Sequence, residues 1–96
     1  MLIEGYDFEA YSLNTIFNNV PGVYVIFTEK FWLDVGETDE LGNRVNGNNH
    51  ERKTCWISKS NGYPISVAFR KIFSKQERQE LEFNLRAKLK PVCGEK

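Results

Sequence analysis

The central pattern of the chain is GVYVIFTEKFWLDVG, residues 22–36. Residues 22–28 are β-branched or aromatic on both alternating faces, which is typical of an interior strand. Residues 31–36 form a second run of this kind, and Thr28-Glu29-Lys30 is the predicted turn between the two. The pattern therefore predicts a hairpin within a sheet.

The register of this hairpin determines which side chains share a face. A three-residue connection places Tyr24 opposite Asp34 and Val25 opposite Leu33. Tyr24 and Asp34 then lie on one face of the hairpin. The pairing is conditional, because a slip of one residue turns the side chains of one strand to the other face.

The chain on either side of the hairpin carries helix signals. Ser12 is a plausible N-cap and predicts a short helix over residues 12–17. Thr38 is a candidate N-cap for a second helix over residues 39–45, with acidic residues in its first turn and Arg44 in its last. We therefore expect one short helix before the hairpin and one after it.

The C-terminal half supplies a third strand and a longer helix. Residues 65–73 alternate between apolar and polar side chains, which predicts the strand. Ser74-Lys75-Gln76-Glu77 is a capping-box pattern, and the helix that it opens runs to about Leu89 before Pro91. Together these elements predict an α+β fold, a small three-stranded mixed or antiparallel sheet flanked by helices, in a single domain over residues 1–96.

Length and composition exclude several classes of protein. The longest mostly apolar run, residues 20–27, has 8 residues, whereas a helix that crosses a bilayer needs about 20. The first residues, MLIE, carry an early acid and no basic segment, so a secretory signal is not expected. We expect a soluble, cytoplasmic protein without a membrane partner.

The numbers of cysteines and histidines restrict the chemistry further. Two cysteines and one histidine exclude a disulfide-dense scaffold and a multi-histidine zinc centre. One disulfide between Cys55 and Cys93 stays open but is not favoured. A thiol enzyme built on either cysteine with His50 has only the coexistence of these residues in its favour.

Charge is distributed unevenly along the chain, although the formal net charge is zero. The first 48 residues hold eight acidic and two basic side chains, and the last 48 hold five acidic and eleven basic ones. This asymmetry indicates either a basic face or two halves that neutralise each other in the fold. Trp32 and Trp56 are expected to pack in the core or at its rim rather than stack on bases. The candidates for a surface that contacts nucleic-acid phosphates are Lys53, Lys59, Arg70, Lys71 and Lys75.

Three features follow one another around the hairpin: Gly22-Val23-Tyr24, then Asp34-Val35-Gly36, then Arg44 on the next predicted helix. They resemble the motifs of the GIY-YIG nuclease family, in which two short strands carry the two tripeptides and an arginine follows on a helix. Glu82, about two turns before Lys90-Pro91, resembles the family segment that carries a metal-binding glutamate. The resemblance extends over residues 20–94.

The resemblance implies a divalent-metal-dependent endonuclease that hydrolyses phosphodiester bonds in DNA. It implies that Tyr24 takes the proton from the attacking water, and that Arg44 stabilises the charge on the phosphate in the transition state. Glu82 would hold one Mg²⁺ or Mn²⁺, with water and substrate phosphate as the other ligands. His50 lies where family members often carry a histidine, and it is a candidate acid, base or phosphate donor; an exposed loop histidine is the alternative.

Two positions depart from the family pattern. Asp34 replaces the second tyrosine, and Gly94 follows Cys93 where an asparagine often closes the motif. We count Asp34 among the catalytic candidates, with three outcomes open. It can accept a hydrogen bond from Tyr24, provide a metal ligand, or raise the pKa of Tyr24 by like-charge repulsion.

The matching residues also have structural interpretations. Tyr24 can be a core residue with its hydroxyl at the rim, and Arg44 a solvated base at a helix end. Glu82 stands one helical turn from both Arg78 and Arg86, which allows a surface ion pair.

We therefore keep a second hypothesis for the function in addition to the endonuclease. It is a catalytically weakened GIY-YIG-like domain that binds nucleic acid or a protein partner, and the two departures and the zero net charge favour it. If the domain acts alone on DNA, its specificity would come from DNA shape or from a homodimer.

Overall fold

The computed structural model describes residues 1–47 and 50–93, without the side chain of His50. Gly94, the position where the family motif often closes, therefore lies outside the described residues. Within the described ranges the chain forms six strands and three helices. In chain order they are β1 (Leu2–Ile3), β2 (Tyr6–Asp7), β3 (Glu9–Ser12), β4 (Gly22–Phe27), β5 (Trp32–Thr38), α1 (Leu41–Asn46), α2 (His50–Lys59), β6 (Ser66–Lys71) and α3 (Lys75–Leu89).

Four strands form an antiparallel sheet in the order β3-β6-β4-β5, and β1 and β2 pair separately. The α+β fold is confirmed, but the sheet has four strands where three were predicted. The additional strand is β3, which pairs with β6 and places Ser12 opposite Ser66. The helix predicted over residues 12–17 does not form. All four residues of β3 are exposed, so backbone pairing rather than an apolar alternation holds the strand.

The hairpin of β4 and β5 forms as predicted, but in a register two residues away from the expected one. Tyr24 lies opposite Gly36, and Ile26 lies opposite Asp34. The pairing shifts by one residue beyond Ile26, which marks a β-bulge next to the turn. Because the displacement from the expected register is an even number of residues, Tyr24 and Asp34 still share a face, as diagonal neighbours.

The turn between β4 and β5 is longer than the three residues predicted. The backbone N–H of Thr28 donates to the carbonyl oxygen of Phe31 at 2.9 Å. The hydroxyl of Thr28 accepts the backbone N–H groups of Lys30 and Phe31, at 3.0 Å each. This side-chain-supported turn lengthens the connection and moves the register.

Of the three described helices after the hairpin, α1 and α3 confirm the sequence pattern with one difference in capping, whereas α2 was not predicted. In α3 the hydroxyl of Ser74 accepts the backbone N–H of Glu77 at 3.2 Å, as the capping box predicts. Helix α1 begins at Leu41, and its N-cap is Glu40 rather than Thr38. The hydroxyl of Thr38 instead accepts the backbone N–H of Glu40 at 2.9 Å, which places it one turn before the helix.

Apolar side chains fill both faces of the sheet. Alternate residues of β4 point to opposite faces, so Val23 and Val25 pack towards α3, while Tyr24 and Ile26 pack towards α1 and α2. Among the described helices, none combines the length and the apolar character needed to cross a membrane.

A disulfide joins Cys55 on α2 to Cys93, which follows α3. The sequence did not favour this bond, and it leaves neither cysteine as a free thiol for nucleophilic chemistry. The segment that carries Cys93 runs beside the edge strand β5. The backbone N–H groups of Val92 and Cys93 donate to the carbonyl oxygens of Trp32 and Leu33, at 3.1 and 2.7 Å.

Candidate functional site

One tyrosine and five charged side chains come together at the edge of the sheet formed by β5. Four of them are candidates from the sequence, and the other two, both arginines, are not. The set comprises Tyr24 on β4, Asp34 on β5, Arg44 on α1, Arg52 on α2, and Glu82 and Arg86 on α3. The structure thus brings residues from five elements to one place.

Tyr24 is fully buried, and its ring lies across β5 at Gly36. A Cβ atom at position 36 would stand 2.3 Å from the hydroxyl oxygen of Tyr24. The glycine therefore leaves the space that the phenol occupies. Among the residues that the structure describes, none forms a hydrogen bond with this hydroxyl. A buried hydroxyl without a partner is rare in proteins, and it is a group to which a ligand or water can bind.

The charges around Tyr24 act on its pKa in both directions. Burial has the largest effect and raises the pKa of Tyr24 above its ordinary value of 10.0. The cations of Arg52 and Arg44 both oppose this shift, although no hydrogen bond of normal geometry joins Arg44 to the hydroxyl. Asp34 adds to the rise. The net result is a pKa above the ordinary value, so Tyr24 is a neutral phenol at neutral pH.

Asp34 has no solvent exposure, and donors occupy both of its carboxylate oxygens. Oδ2 accepts Nε of Arg52 and Nε1 of Trp56, each at 2.8 Å. Oδ1 accepts Nη2 of Arg52 at 2.8 Å, Nη2 of Arg86 at 3.0 Å and the backbone N–H of Val35 at 2.8 Å. Asp34 therefore anchors α2 and α3 to β5.

These contacts bear on the three outcomes left open for Asp34. The carboxylate does not accept the hydroxyl of Tyr24, which has no hydrogen-bond partner among the described residues. Its oxygens are already filled by five donors, which disfavours a role as a metal ligand. Repulsion between the carboxylate and a Tyr24 phenolate is present, as a minor contribution to the raised pKa of Tyr24.

Arg52, Trp56 and Arg86 are the site residues that sequence reasoning missed. Arg52 and Trp56 stand four positions apart on α2, so they lie one above the other on the same face of the helix. The indole of Trp56 packs in the core, as the sequence predicts, and its N–H also binds Asp34. A cation and an indole donor at this spacing, with an aspartate in a buried strand, are the signal that could have indicated the cluster.

The charge of Arg52 is stabilised by its surroundings. Burial by itself lowers the pKa of Arg52, but the oxygens of Tyr24, Asp34 and Glu82 outweigh that effect, so the pKa is raised. Its side chain keeps one quarter of its surface exposed. Arg52 is therefore a permanent cation that is held on one side and open to solvent on another.

Arg44 lies in the last turn of α1 and is half-buried. Its Nη1 donates to the carbonyl oxygen of Glu37 at 3.4 Å, which is a long hydrogen bond. The guanidinium is thus weakly held, and it lies close enough to Tyr24 to lower the pKa of the phenol.

Glu82 is half-buried on α3, and its carboxylate accepts Nε of Arg86 at 3.3 Å. This contact is longer than a strong charge-assisted hydrogen bond. Arg86 also donates to Asp34 and to the carbonyl oxygen of Val35, so it connects Glu82 with the edge strand. The other ion-pair partner considered for Glu82, Arg78, instead binds Glu37 at 2.9 Å.

The described residues fit only one kind of metal site, in which the protein provides a single carboxylate. Among the described residues, no group of three His, Cys, Asp or Glu side chains forms a cage for a metal. Within the described part of the chain, Glu82 is a single carboxylate that accepts a contact of 3.3 Å from Arg86. A lone carboxylate suits Mg²⁺, which keeps several waters and takes further ligands from substrate phosphates.

The five candidates for phosphate contacts fall into two groups. Lys53 and Lys59 lie on α2, the helix that carries Arg52, while Lys71 and Lys75 lie at the end of β6 and the start of α3. Arg70, also on β6, donates from Nη1 to the carbonyl oxygen of Asp7 at 3.1 Å. Lys53 and Lys59 are therefore the phosphate-contact candidates that share a helix with a residue of the site. His50 is the first residue of α2, but its side chain lies outside the described part of the chain.

Solved structures with a similar fold identify the architecture. The chain superposes on the GIY-YIG N-terminal endonuclease domain of UvrC from Thermotoga maritima, as a point mutant bound to its catalytic divalent cation, with a TM-score of 0.63 and 18% identity over 82% of this chain and 87% of that one. The chain has a GIY-YIG-like fold. The magnesium-bound form of the same UvrC domain matches with a TM-score of 0.61 and 24% identity, over 77% of this chain and 82% of that one.

The GIY-YIG-like fold is carried by structure rather than by sequence similarity. No protein-family model and no curated protein matches the chain. In this fold the resemblance seen around the hairpin is confirmed, because the two tripeptides lie on adjacent strands and Arg44 lies on the helix that follows.

Proposed function

We propose that the chain is a divalent-metal-dependent endonuclease that hydrolyses phosphodiester bonds in DNA. The observation that carries the proposal is the hydroxyl of Tyr24, which is buried without a hydrogen-bond partner among the described residues and is influenced by the guanidinium groups of Arg44 and Arg52. An oxygen in this position can take a proton, and the cations beside it favour binding of a phosphate.

In the proposed reaction each residue has a separate task. The oxygen of a water molecule forms a bond to phosphorus while the bond from phosphorus to the leaving oxygen breaks. The proton of that water passes to the oxygen of Tyr24 in its ionised form. Arg44, which is only weakly held by the protein, binds the phosphate oxygens as their charge increases.

Glu82 would hold one Mg²⁺ or Mn²⁺, which when bound would stabilise negative charge on the phosphate and on the leaving oxygen. Binding would replace the long contact of 3.3 Å between Glu82 and Arg86. Arg86 would keep its contacts with Asp34 and Val35 after that exchange. The GIY-YIG domains of UvrC that are similar in fold carry a catalytic divalent cation, which supports this assignment.

The test is cleavage of supercoiled, linear, branched and single-stranded DNA with Mg²⁺, with Mn²⁺ or with EDTA. Glu82→Ala is compared with Glu80→Ala, which removes an exposed carboxylate from the same helix. We expect metal-dependent cuts that disappear in Glu82→Ala and persist in Glu80→Ala. Equal cutting by both variants, or cutting that EDTA does not stop, contradicts the proposal.

A second function fits the same ion pairs. Asp34 is surrounded by cations, and Glu82 is paired with one, which are contacts that a binding domain without catalysis would also keep. The chain would then bind nucleic acid or a protein partner. A folded protein that retards DNA on a gel, but cuts none of the four substrates with either metal, supports this function over the endonuclease.

A further inference from the structure

Arg52 connects the aspartate of the site with its tyrosine. Two nitrogens of its guanidinium, Nε and Nη2, bind the two oxygens of Asp34 at 2.8 Å each. This bidentate contact fixes both the position and the plane of the guanidinium. Trp56, one turn further along α2, binds the same carboxylate and prevents it from rotating.

The bidentate contact would normally cancel the positive charge of Arg52, but a second arginine shares the carboxylate. Arg86 binds Oδ1 of Asp34 at 3.0 Å. One negative charge therefore stands between two positive ones. With Arg44 and Glu82 included, the cluster carries three cations and two anions while Tyr24 is neutral, so a positive charge is left over beside the phenol.

Asp34 and its partners stand where the GIY-YIG pattern has its second tyrosine. A tyrosine there would present a second hydroxyl at the edge strand, whereas Asp34 turns its oxygens to α2 and α3 and leaves the hydroxyl of Tyr24 without a partner among the described residues. Asp34 instead orients a cation, because its two oxygens hold the guanidinium of Arg52, which lies 18 residues further along the chain.

We infer that Arg52 is a positioning residue of the proposed reaction, that it acts through Tyr24 by holding a positive charge beside the phenol, and that Asp34 and Trp56 orient its guanidinium. This inference rests on the proposed function. Asp34 then assists the chemistry by orienting Arg52, while its own charge adds to the raised pKa of Tyr24. The charged groups that act on Tyr24 are Arg44 from α1, Arg52 from α2 and Asp34 from β5. Asp34 is the diagonal neighbour of Tyr24 on the same face of the hairpin, so the guanidinium that it holds lies near the phenol.

The first test compares Arg52→Gln and Arg52→Lys with the unchanged chain in the DNA-cleavage assay. Removal of one charge that stabilises a reacting oxygen lowers kcat by roughly 10²-fold, with little change in KM. Lysine keeps the charge but loses the bidentate contact, so Arg52→Lys is expected to retain more activity than Arg52→Gln. Lys30→Gln, at the exposed turn between β4 and β5, removes a positive charge away from the site and should cut DNA at the normal rate.

Chemical rescue separates a positioning role from a loss of folding. In Arg52→Ala, added guanidinium ions are expected to restore part of kcat, whereas sodium chloride at the same ionic strength is not. Near-ultraviolet circular dichroism verifies that the variant keeps its packing. A folded Arg52→Ala or Arg52→Gln variant with unchanged kcat overturns the inference, as does a loss that guanidinium ions do not relieve and Arg52→Lys does not moderate.

A measurement without DNA distinguishes failure of this inference from failure of the proposed function. The ionisation of Tyr24 is followed by ultraviolet absorbance at alkaline pH, as the difference between a chain with Tyr24 and the same chain with Tyr24→Phe. Arg52→Gln is expected to move this titration to higher pH. If the chain does not cut DNA but the titration moves, the endonuclease fails and the effect of Arg52 on Tyr24 stands. If the titration does not move, the inference fails whatever the cleavage assay shows.

Discussion

Tyr24 is the residue in which burial and chemistry oppose each other most directly. Its ring belongs to the core between the sheet and helices α1 and α2, and Gly36 leaves room for it. Its hydroxyl has no partner among the described residues, so the protein bears the cost of removing a polar group from water. In terms of stability alone, phenylalanine would serve as well at this position.

We therefore expect Tyr24→Phe to separate stability from activity. The change removes a hydroxyl that has no partner among the described residues, so the free energy of unfolding should stay within about 0.5 kcal/mol of its original value or rise slightly. DNA cleavage should fall to the level of Glu82→Ala, because the proposed proton acceptor is lost. Urea denaturation and the cleavage assay measure the two effects. A Tyr24→Phe variant that cuts DNA normally excludes Tyr24 as the base.

The raised pKa of Tyr24 predicts an alkaline pH dependence. A base acts in its deprotonated form, so kcat/KM should rise by about tenfold per pH unit from neutral pH towards pH 9.5 without reaching a plateau. The raised pKa of Tyr24 has the opposite effect on stability, because the free energy of unfolding falls at alkaline pH while activity rises there. Because the folded pKa lies above the unfolded one, the stability that it contributes is fully present below the unfolded pKa and is lost as pH rises through the folded pKa.

The pH profile is measured only where circular dichroism shows the chain to be folded. A plateau at neutral pH would mean that a group other than Tyr24 takes the proton. His50 is the first such candidate, and His50→Gln would then remove the plateau.

Strand β5 is the element that depends most on contacts from outside the sheet. It pairs with β4 on one side only, and its other side is next to the segment of Val92 and Cys93. Asp34 connects the strand with α2 and α3 through Arg52 and Arg86. The edge of the sheet is thus closed by ion pairs and backbone contacts rather than by a further strand.

Asp34→Asn should destabilise the chain strongly. The amide has nearly the same shape as the carboxylate, but it removes the negative charge that two partly buried guanidinium groups share. Loss of one partner of a buried ion pair typically costs about 3–5 kcal/mol. Urea denaturation measures the loss, and Asp39→Asn, at an exposed position just before α1, is the matched control. A loss below about 1 kcal/mol would mean that Asp34 does not anchor the two helices.

Elements differ in how far their own residues predict them. The capping box of α3 and the apolar runs of β4 and β5 are local signals, and these elements form where they were predicted. Strand β3 has no such signal, because its four residues are exposed and it is held mainly by backbone pairing with β6. The register of the hairpin also depends on one side chain, that of Thr28, which adds a residue to the turn.

The disulfide between Cys55 and Cys93 acts at the scale of the whole molecule. It joins residues that are 38 positions apart and ties the segment after α3 to α2. It also stands next to Trp56, which binds Asp34. The bond therefore restrains the unfolded chain and supports the edge of the site.

Reduction of this bond should lower the free energy of unfolding by about 2–4 kcal/mol, because a loop of this length loses conformational freedom when it is closed. Urea denaturation with and without a non-thiol reductant measures the change. A variant with both Cys55→Ser and Cys93→Ser should match the reduced protein and respond no further to the reductant. Equal stability of the oxidised and reduced chains contradicts the prediction.

By itself, the sequence determined the central hairpin, the C-terminal helix, and the positions of Tyr24, Arg44 and Glu82 relative to those elements. These features follow from periodicity, capping and motif spacing, which act over a few residues or along one element. The α+β fold and its resemblance to GIY-YIG nucleases could be predicted because they depend on the same local patterns.

The tertiary structure decided the partners of Asp34 and the surroundings of Tyr24. Arg52, Trp56 and Arg86 reach Asp34 from 18, 22 and 52 residues away, and no local pattern links them to Asp34. A buried carboxylate takes whichever donors the fold brings within hydrogen-bond distance, because leaving it unpaired costs several kcal/mol, roughly as for other buried charges. Which donors those are depends on how α2 and α3 pack against β5, and that packing exists only in the folded chain.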